Sequence, residues 1–357
     1  MGGVIVIVAA KTDVGRVRTS NEDAFAVSDV ASGNPVDATS QELRLPLPDR
    51  GLLFALSDGM GGHQAGEVAS AMVLESLRSA LREDDGTPTA SRIEVAIQRA
   101  NADVVEAAKT ADKKGMGATL TALLVQDAGA YLAQVGDSRA YLLRDGRLRQ
   151  LSRDQSLVQL LVDGGLMTQE EAKSAPQKNV ILQAMGLATD VRAAVARLQL
   201  RRGDTLLLCC DGLTNAVSDD ELQSLLVSST PGDACTKAIA LANERGGEDN
   251  LTAIVARFEG SALMPPEGRI TATFDELTAF VGAPKPKTPA PPTAPKAVDG
   301  PKEPRAVNAP KAAPETPRSP GGAAAERPPP NYAGYAALVV VAVVIAVAVA
   351  FLAKHSR

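Results

Sequence analysis

An apolar run at residues 4–8 predicts a first β-strand, and a second run at 52–56 predicts a buried one. Residues 29–50 between them are polar and carry Pro35, Pro46 and Pro48, which predicts a surface excursion. After the second strand, Val68, Met72, Val73, Leu77, Ala80 and Leu81 recur at helical spacing, and so do Ile93, Ala96, Ile97, Ala100, Val104 and Val105. Two amphipathic helices follow, their apolar stripes serving as core. A glycine-rich turn at 115–117 opens a β region with strands expected at 119–125, 131–135, 140–143 and 148–151. Asp127-Ala128-Gly129 and Arg144-Asp145-Gly146 punctuate them, giving an expected antiparallel meander.

Residues 154–186 read as helix and loop, with Thr168 and Glu171 spaced as a capping box. Strands are expected at 191–200 and 205–210, joined through Arg202-Gly203-Asp204. Helices are expected at 218–227, capped by Ser218 and Glu221, and at 232–244, before a last strand at 251–258. The strand pattern then stops. Residues 259–282 form an extension of unassigned role, with a short helix expected at 275–281. Residues 283–331 are Pro, Ala, Lys and Glu with almost no large apolar side chain, so they cannot bury enough surface to fold and read as a linker. Residues 335–353 are uncharged and apolar, close to the minimum that spans a bilayer core, and predict one transmembrane helix. Lysines and arginines in the linker favour keeping the preceding domain in the cytoplasm, although the basic end of the chain pulls the other way. A single C-terminal anchor in the cell inner membrane is the expectation.

The 357 residues suit one or two domains, and 45% hydrophobic content supports a sizeable core. Aromatics are 3% with no Trp, so that core is aliphatic. A net charge of −5 argues against a nucleic-acid binder working through a basic face. Cys209, Cys210 and Cys235 have no CxxC spacing and read as reduced core residues. With only His63 and His355 present, His-rich zinc sites and His-relayed triads are nearly excluded.

Candidate chemistry lies in the acids. Asp58, Asp137 and Asp211 each fall at the end of an apolar strand beside glycine, Asp249 lies two residues after Gly247 at the start of the strand expected at 251–258, and Glu22-Asp23 add a fifth acidic place. One Asp-Gly is a common turn. Several in a β-rich domain suggest strand ends gathered at one edge to hold hard cations, which prefer carboxylates, carbonyls and water. An arginine near in sequence offers a fork for a phosphate. Acids, two metals and an arginine point to phosphoester hydrolysis.

The order Arg18-x-x-Asn21-Glu22-Asp23, Asp58-Gly59-Met60-Gly61-Gly62, Gly117-Ala118-Thr119, Gly136-Asp137-Ser138-Arg139, Asp211-Gly212-Leu213 and Asp249-Asn250 closely resembles the bacterial metal-dependent type-2C Ser/Thr protein phosphatases over residues 5–258, which makes residues 1–258 the expected catalytic domain. The resemblance implies an α+β fold, a four-layer α/β/β/α sandwich of two antiparallel sheets flanked by helices. It implies Mn²⁺ or Mg²⁺, two ions and a third seen in bacterial members. Asp58 would bridge two ions, with the Gly59 carbonyl as a further ligand. Asp211 and Asp249 would hold the first ion, and Glu22 or Asp23 the second. Asp137 with Asp211 would hold the third, and Arg18 the substrate phosphate. A metal-bridging water would attack phosphorus in line.

The chain also departs from the family pattern. Met60 stands where some members place a histidine, and His63, three residues on, becomes the candidate general acid. Asp154-Gln155-Ser156 replaces a frequent Asp-His-Ser. Asn179, in a stretch matching the bacterial flap, is a candidate ligand. The expected activity is hydrolysis of phosphoserine and phosphothreonine in proteins, opposing Ser/Thr kinases at the membrane, with those kinases and their substrates as partners. The rivals are a catalytically weak pseudo-phosphatase scaffold and a phosphatase of an anti-anti-sigma regulator.

Overall fold

The computed structural model describes residues 3–266, apart from 40, 62, 63, 85, 111 and 112, together with the backbone of a strand at 275–278. His63, the linker at 283–331, the apolar run at 335–353 and half of the 259–282 extension lie outside the described residues. Among the described residues no helix is long and apolar enough to cross a membrane.

Two antiparallel sheets stack face to face. One has strand order β3 (Leu43–Pro46), β1 (Ile5–Asp13), β12 (Leu251–Glu259), β11 (Thr205–Cys209), β8 (Arg139–Arg144), β9 (Arg147–Gln150). The other has order β13 (Asp275–Thr278), β10 (Ala194–Gln199), β7 (Gly129–Val135), β6 (Leu120–Gln126), β4 (Leu52–Met60), β2 (Asp23–Asp29), with the two-residue β5 (Gly117–Ala118) paired to the end of β4. Helices α1 (Gln64–Arg82) and α2 (Thr89–Ala107) cover the outside of the second sheet. Helices α5 (Asp211–Ala216), α6 (Asp219–Ser228) and α7 (Pro231–Glu244) cover the first, and α3 (Leu157–Asp163) and α4 (Gln169–Ser174) pack on each other around Val158, Ala172 and Ala175.

Strand β4 shows why its sequence is a continuous apolar run. Successive side chains point to opposite faces, and both faces are covered. Leu52, Phe54 and Leu56 join Leu142, Leu206 and Leu208 in the core between the sheets. Leu53 and Ala55 face the other way, into a second core with Val73, Leu77, Ile97 and Val104 of the two helices. The helical stripes are core, and the three cysteines are free and buried. Both expected capping boxes, Thr168 with Glu171 and Ser218 with Glu221, are formed.

Several expectations are corrected. The strands from 119 to 151 are two hairpins in different sheets, not one meander, because the chain crosses at Gly136-Asp137-Ser138. Residues 200–204 cross likewise between β10 and β11. Alternation of apolar residues marks a strand but not its partner. The polar excursion at 29–50 contains β3, which caps the edge of β1. The segment expected to start a helix at 275 is strand β13 instead, antiparallel to β10. An edge strand offers unpaired backbone groups that a following segment can satisfy.

The second crossing is held by a buried ion pair. Arg144 donates through Nε to Asp204 Oδ1 (2.8 Å) and through Nη2 to Asp204 Oδ2 (2.6 Å), with side chains 3% and 1% exposed. Asp204 also accepts from the Arg201 amide, and Arg144 donates to the Gln199 carbonyl. Removing one partner strands the other charge, so Asp204→Ala should destabilise the domain by about 3–5 kcal/mol. Urea denaturation checks this, and the pair Arg144→Met with Asp204→Leu should recover most of the loss.

Candidate active site

Strand register creates the central problem of the site. Asp23 on β2 lies directly opposite Asp58 on β4. Side chains so placed share a face with Cβ atoms about 5 Å apart, and like charges there repel. Asp58 is not at a strand end, as expected, but inside β4, which runs on to Met60. Its amide donates to Thr119 Oγ1 (2.9 Å) and its carbonyl accepts from the Thr119 amide (2.8 Å).

The glycines are explained by close approach. Gly59 is in a strand, where a Cβ would meet the Gly66 carbonyl oxygen at 2.1 Å and that of Glu22 at 2.7 Å. A Cβ on Gly66 would meet Glu22 Oε2 at 2.0 Å. Start of α1, end of β4 and Glu22 are therefore pressed together without room for a methyl group. Gly212 repeats the device. It lies in the first turn of α5, where a Cβ would meet the Asn250 carbonyl oxygen at 2.2 Å. Neither Asp-Gly is a turn.

The remaining acids arrive from three other places. Asp137 sits on the crossing between the sheets, Asp211 opens α5, and Asp249 precedes β12. The 13–22 loop is tied to Asp249 by its neighbour Asn250. The Asn250 side chain donates to the carbonyls of Val14 (3.0 Å) and Ser20 (2.9 Å) and accepts from the Glu22 amide (2.8 Å). The Arg16 amide donates to the Gly247 carbonyl (2.7 Å). This docking delivers Arg18, whose Nη2 donates to Asp249 Oδ2 at 2.9 Å. Asn250 and Thr252, which donates to Asp23 Oδ2 (2.6 Å), support the acids at positions that residue type alone does not reveal. Asn250 was visible only as the second letter of the Asp249-Asn250 motif. Asn179 is exposed in the turn after α4.

Burial and mutual repulsion set the electrostatics. Desolvation pushes Asp23 up to about 7, with Asp211 and Asp249 adding to the rise against hydrogen bonds from Thr252 and Cys210. Asp58 rises well above the usual carboxylate range, from burial first and then from Asp23, Asp211, Asp137 and Asp249. Asp137 and Asp211 rise for the same reasons, Asp211 while hydrogen-bonded to Asp58. Asp23 Oδ1 and Asp137 Oδ1 are buried with no protein hydrogen-bond partner.

These observations fit hard divalent cations. The donor set is carboxylate oxygen, two of those oxygens lack partners, and the charge is unbalanced. No three His, Cys, Asp or Glu among the described residues stand ready to encircle one ion. Ions such as Mg²⁺ keep several waters and take only one or two carboxylates each, so a cluster spread over shared space suits them better than a closed cage.

The site and sandwich define a metal-dependent phosphoester hydrolase of the type-2C architecture. A family model described as protein phosphatase 2C matches residues 40–250. Among relatives, the serine/threonine phosphatase stp of Listeria monocytogenes is 38% identical over 251 residues, covering 69% of this chain and 93% of stp. The serine/threonine protein phosphatase PstP of Mycobacterium tuberculosis is 37% identical over 249 residues, covering 70% of this chain and 44% of PstP. The solved catalytic domain of PstP in complex with two manganese ions superposes with a TM-score of 0.60 at 34% identity, covering 72% of this chain and 99% of that one. The chain belongs to the protein phosphatase 2C family.

The raised acids give a pH dependence. Between about pH 4 and about pH 7 the folded, metal-free chain keeps a proton on Asp23 that the unfolded chain has lost. Stability therefore falls as pH rises through that window. With EDTA present, the urea midpoint should be higher at pH 5 than at pH 8, and the difference should shrink in Asp23→Asn.

Proposed function

We propose that the chain hydrolyses phosphoserine and phosphothreonine in proteins, dependent on Mn²⁺ or Mg²⁺. The observation that carries this is the buried cluster around Asp58, acids that raise one another's pKa and leave two carboxylate oxygens without partners. Asp58 would serve two ions with the Gly59 carbonyl beside it, Asp211 and Asp249 the first, Glu22 or Asp23 the second, and Asp137 with Asp211 a third. When bound, the ions supply a water activated as nucleophile at neutral pH and neutralise charge building on the phosphoryl group.

The chain's own residues do the rest. The carboxylates must shed the protons that burial now favours, so ion binding releases protons. Asn250 and the Gly212 contact fix Asp249 and the 13–22 loop. Arg18, at the rim, turns from Asp249 to the substrate phosphate, for which a guanidinium fork is well shaped. All three cysteines are buried, and burial raises their thiol pKa values, so none suits a nucleophile. His63 as proton donor to the leaving hydroxyl, and Asn179 as a ligand, complete the proposal.

Anchoring rests on residues 335–353, whose uncharged run suits one membrane crossing with the catalytic domain in the cytoplasm. Ser/Thr kinases and their substrates at that membrane are the proposed partners.

The full chain should release phosphate from a phosphothreonine peptide with Mn²⁺ and stop in EDTA. Asp58→Asn and Asp211→Asn should each lose activity by at least 10²-fold on the scale of a lost charge-stabilising group. His63→Ala should lose rate while Mn²⁺ binding stays intact. No turnover in any metal, from folded protein that still binds the peptide, would make the chain a scaffold. Separately, the full chain should sediment with membranes and resist carbonate extraction, and deletion of 335–353 should release it. Unchanged sedimentation would overturn the anchor.

A further inference from the structure

The loop that carries Asp137 is only three residues long, 136–138, where the chain passes from one sheet to the other. Among the described residues, the hydrogen bonds to its backbone come from neutral groups. Two buried glutamines supply most of them. Gln155, 3% exposed, meets Gly136 on both sides: its side-chain Oε1 accepts from the Gly136 backbone amide (2.8 Å), and its backbone N–H donates to the Gly136 carbonyl (2.9 Å). Gln134, 1% exposed, donates through Nε2 to the carbonyls of Gly136 (3.1 Å) and Ser138 (2.6 Å). The two are joined, since Gln155 Nε2 donates to the Gln134 carbonyl (3.2 Å). Thr121 Oγ1 completes the set by bonding Gln134 Oε1 (2.8 Å) and the Ser138 carbonyl (3.0 Å). Ser138 Oγ reaches Thr119 Oγ1 (3.0 Å), the hydroxyl that accepts the Asp58 amide. A continuous neutral network therefore runs beneath the cluster, from the backbone of Asp58 to the backbone around Asp137.

We propose that Gln155 and Gln134 are positioning residues, an amide clamp that fixes the Asp137 carboxylate for its ion. This rests on the reading of Asp137 as a metal-holding residue. Chemistry favours amides for the task. Each offers donor and acceptor at once, and neither carries charge at any pH, so the clamp adds nothing to the repulsion among the acids. A buried carboxylate here would add to that repulsion, and a lysine or arginine would compete with the cation. Residues that orient ligands from behind typically alter metal affinity 10- to 100-fold when changed.

The experiment is Mn²⁺ titration of the full chain by calorimetry, with Asp137→Asn, Gln155→Met and Gln155→His. Asp137→Asn identifies the class of Mn²⁺ sites that depends on this carboxylate. Gln155→Met keeps the length and loses the hydrogen bonds of the side chain. It should weaken that class 10- to 100-fold and leave the others within about 2-fold. Gln155→His keeps one acceptor and one donor and should shift the same class by less. It also reads the proposal if Gln155→Met does not fold. Unchanged affinity in both Gln155 variants, or equal weakening of all classes, overturns the clamp while the role of Asp137 stands. If Asp137→Asn itself changes no Mn²⁺ affinity, the reading of Asp137 falls instead.

Discussion

Repulsion between carboxylates held at fixed distance is the constraint on which the rest of this structure depends. Asp23 and Asp58 are locked opposite each other by strand register, and a one-residue slip would turn the whole slipped strand's side chains to the wrong face. Asp137, Asp211 and Asp249 are brought to the same place from a sheet crossing, a helix start and a strand start. A loop-built cluster would spread apart. This one stays together because each acid is fixed by backbone that the two cores make rigid, and the resulting excess of negative charge is what a divalent cation relieves.

Rigidity at the site is achieved by neutral groups. Hydroxyls of Thr119, Ser138 and Thr252 and amides of Gln134, Gln155 and Asn250 satisfy the backbone and the acids from behind, and most are buried. The nearest charged supports are paired off among themselves. Arg139 binds Asp154 through Nε and Nη2 and also donates to the hydroxyl of Tyr141, which donates in turn to Asp219. Glycines at 59, 66 and 212 contribute differently, by removing the methyl groups that would hold three backbone segments apart.

Much of this was legible in the sequence because it obeys local rules. The stripes at 68–81 and 93–105 became α1 and α2, and two capping boxes formed where their spacing placed them. The acids of the motif order do converge, as the coulombic neighbours of Asp58 demonstrate. What the sequence hid is long-range. Whether β7 and β8 pair depends on a sheet crossing that no alternation pattern encodes, and Asp204 looked like part of a turn until Arg144 was seen sixty residues away. Gln155 reads in the sequence only as a replacement for the histidine of similar chains, and its value lies mainly in backbone groups that only the fold brings to it. Strand β13 follows from the open edge of β10, a property of the assembled sheet and not of residues 275–278.

Arg18 illustrates how weak contacts can be the useful ones. Its bond to Asp249 uses one nitrogen, and the side chain is half exposed. Pairs of that kind contribute about 0–1 kcal/mol, so little is lost when the guanidinium leaves. Two events in the proposed function both act on this pair. A cation at Asp249 reduces the attraction that holds Arg18, and a phosphate arriving at the rim offers it two oxygens in place of one. The buried Arg144–Asp204 pair, with the same two residue types, could not behave so, because separating it would leave a stranded charge in the core. Exposure decides which arginine can exchange partners and which can only hold the fold together.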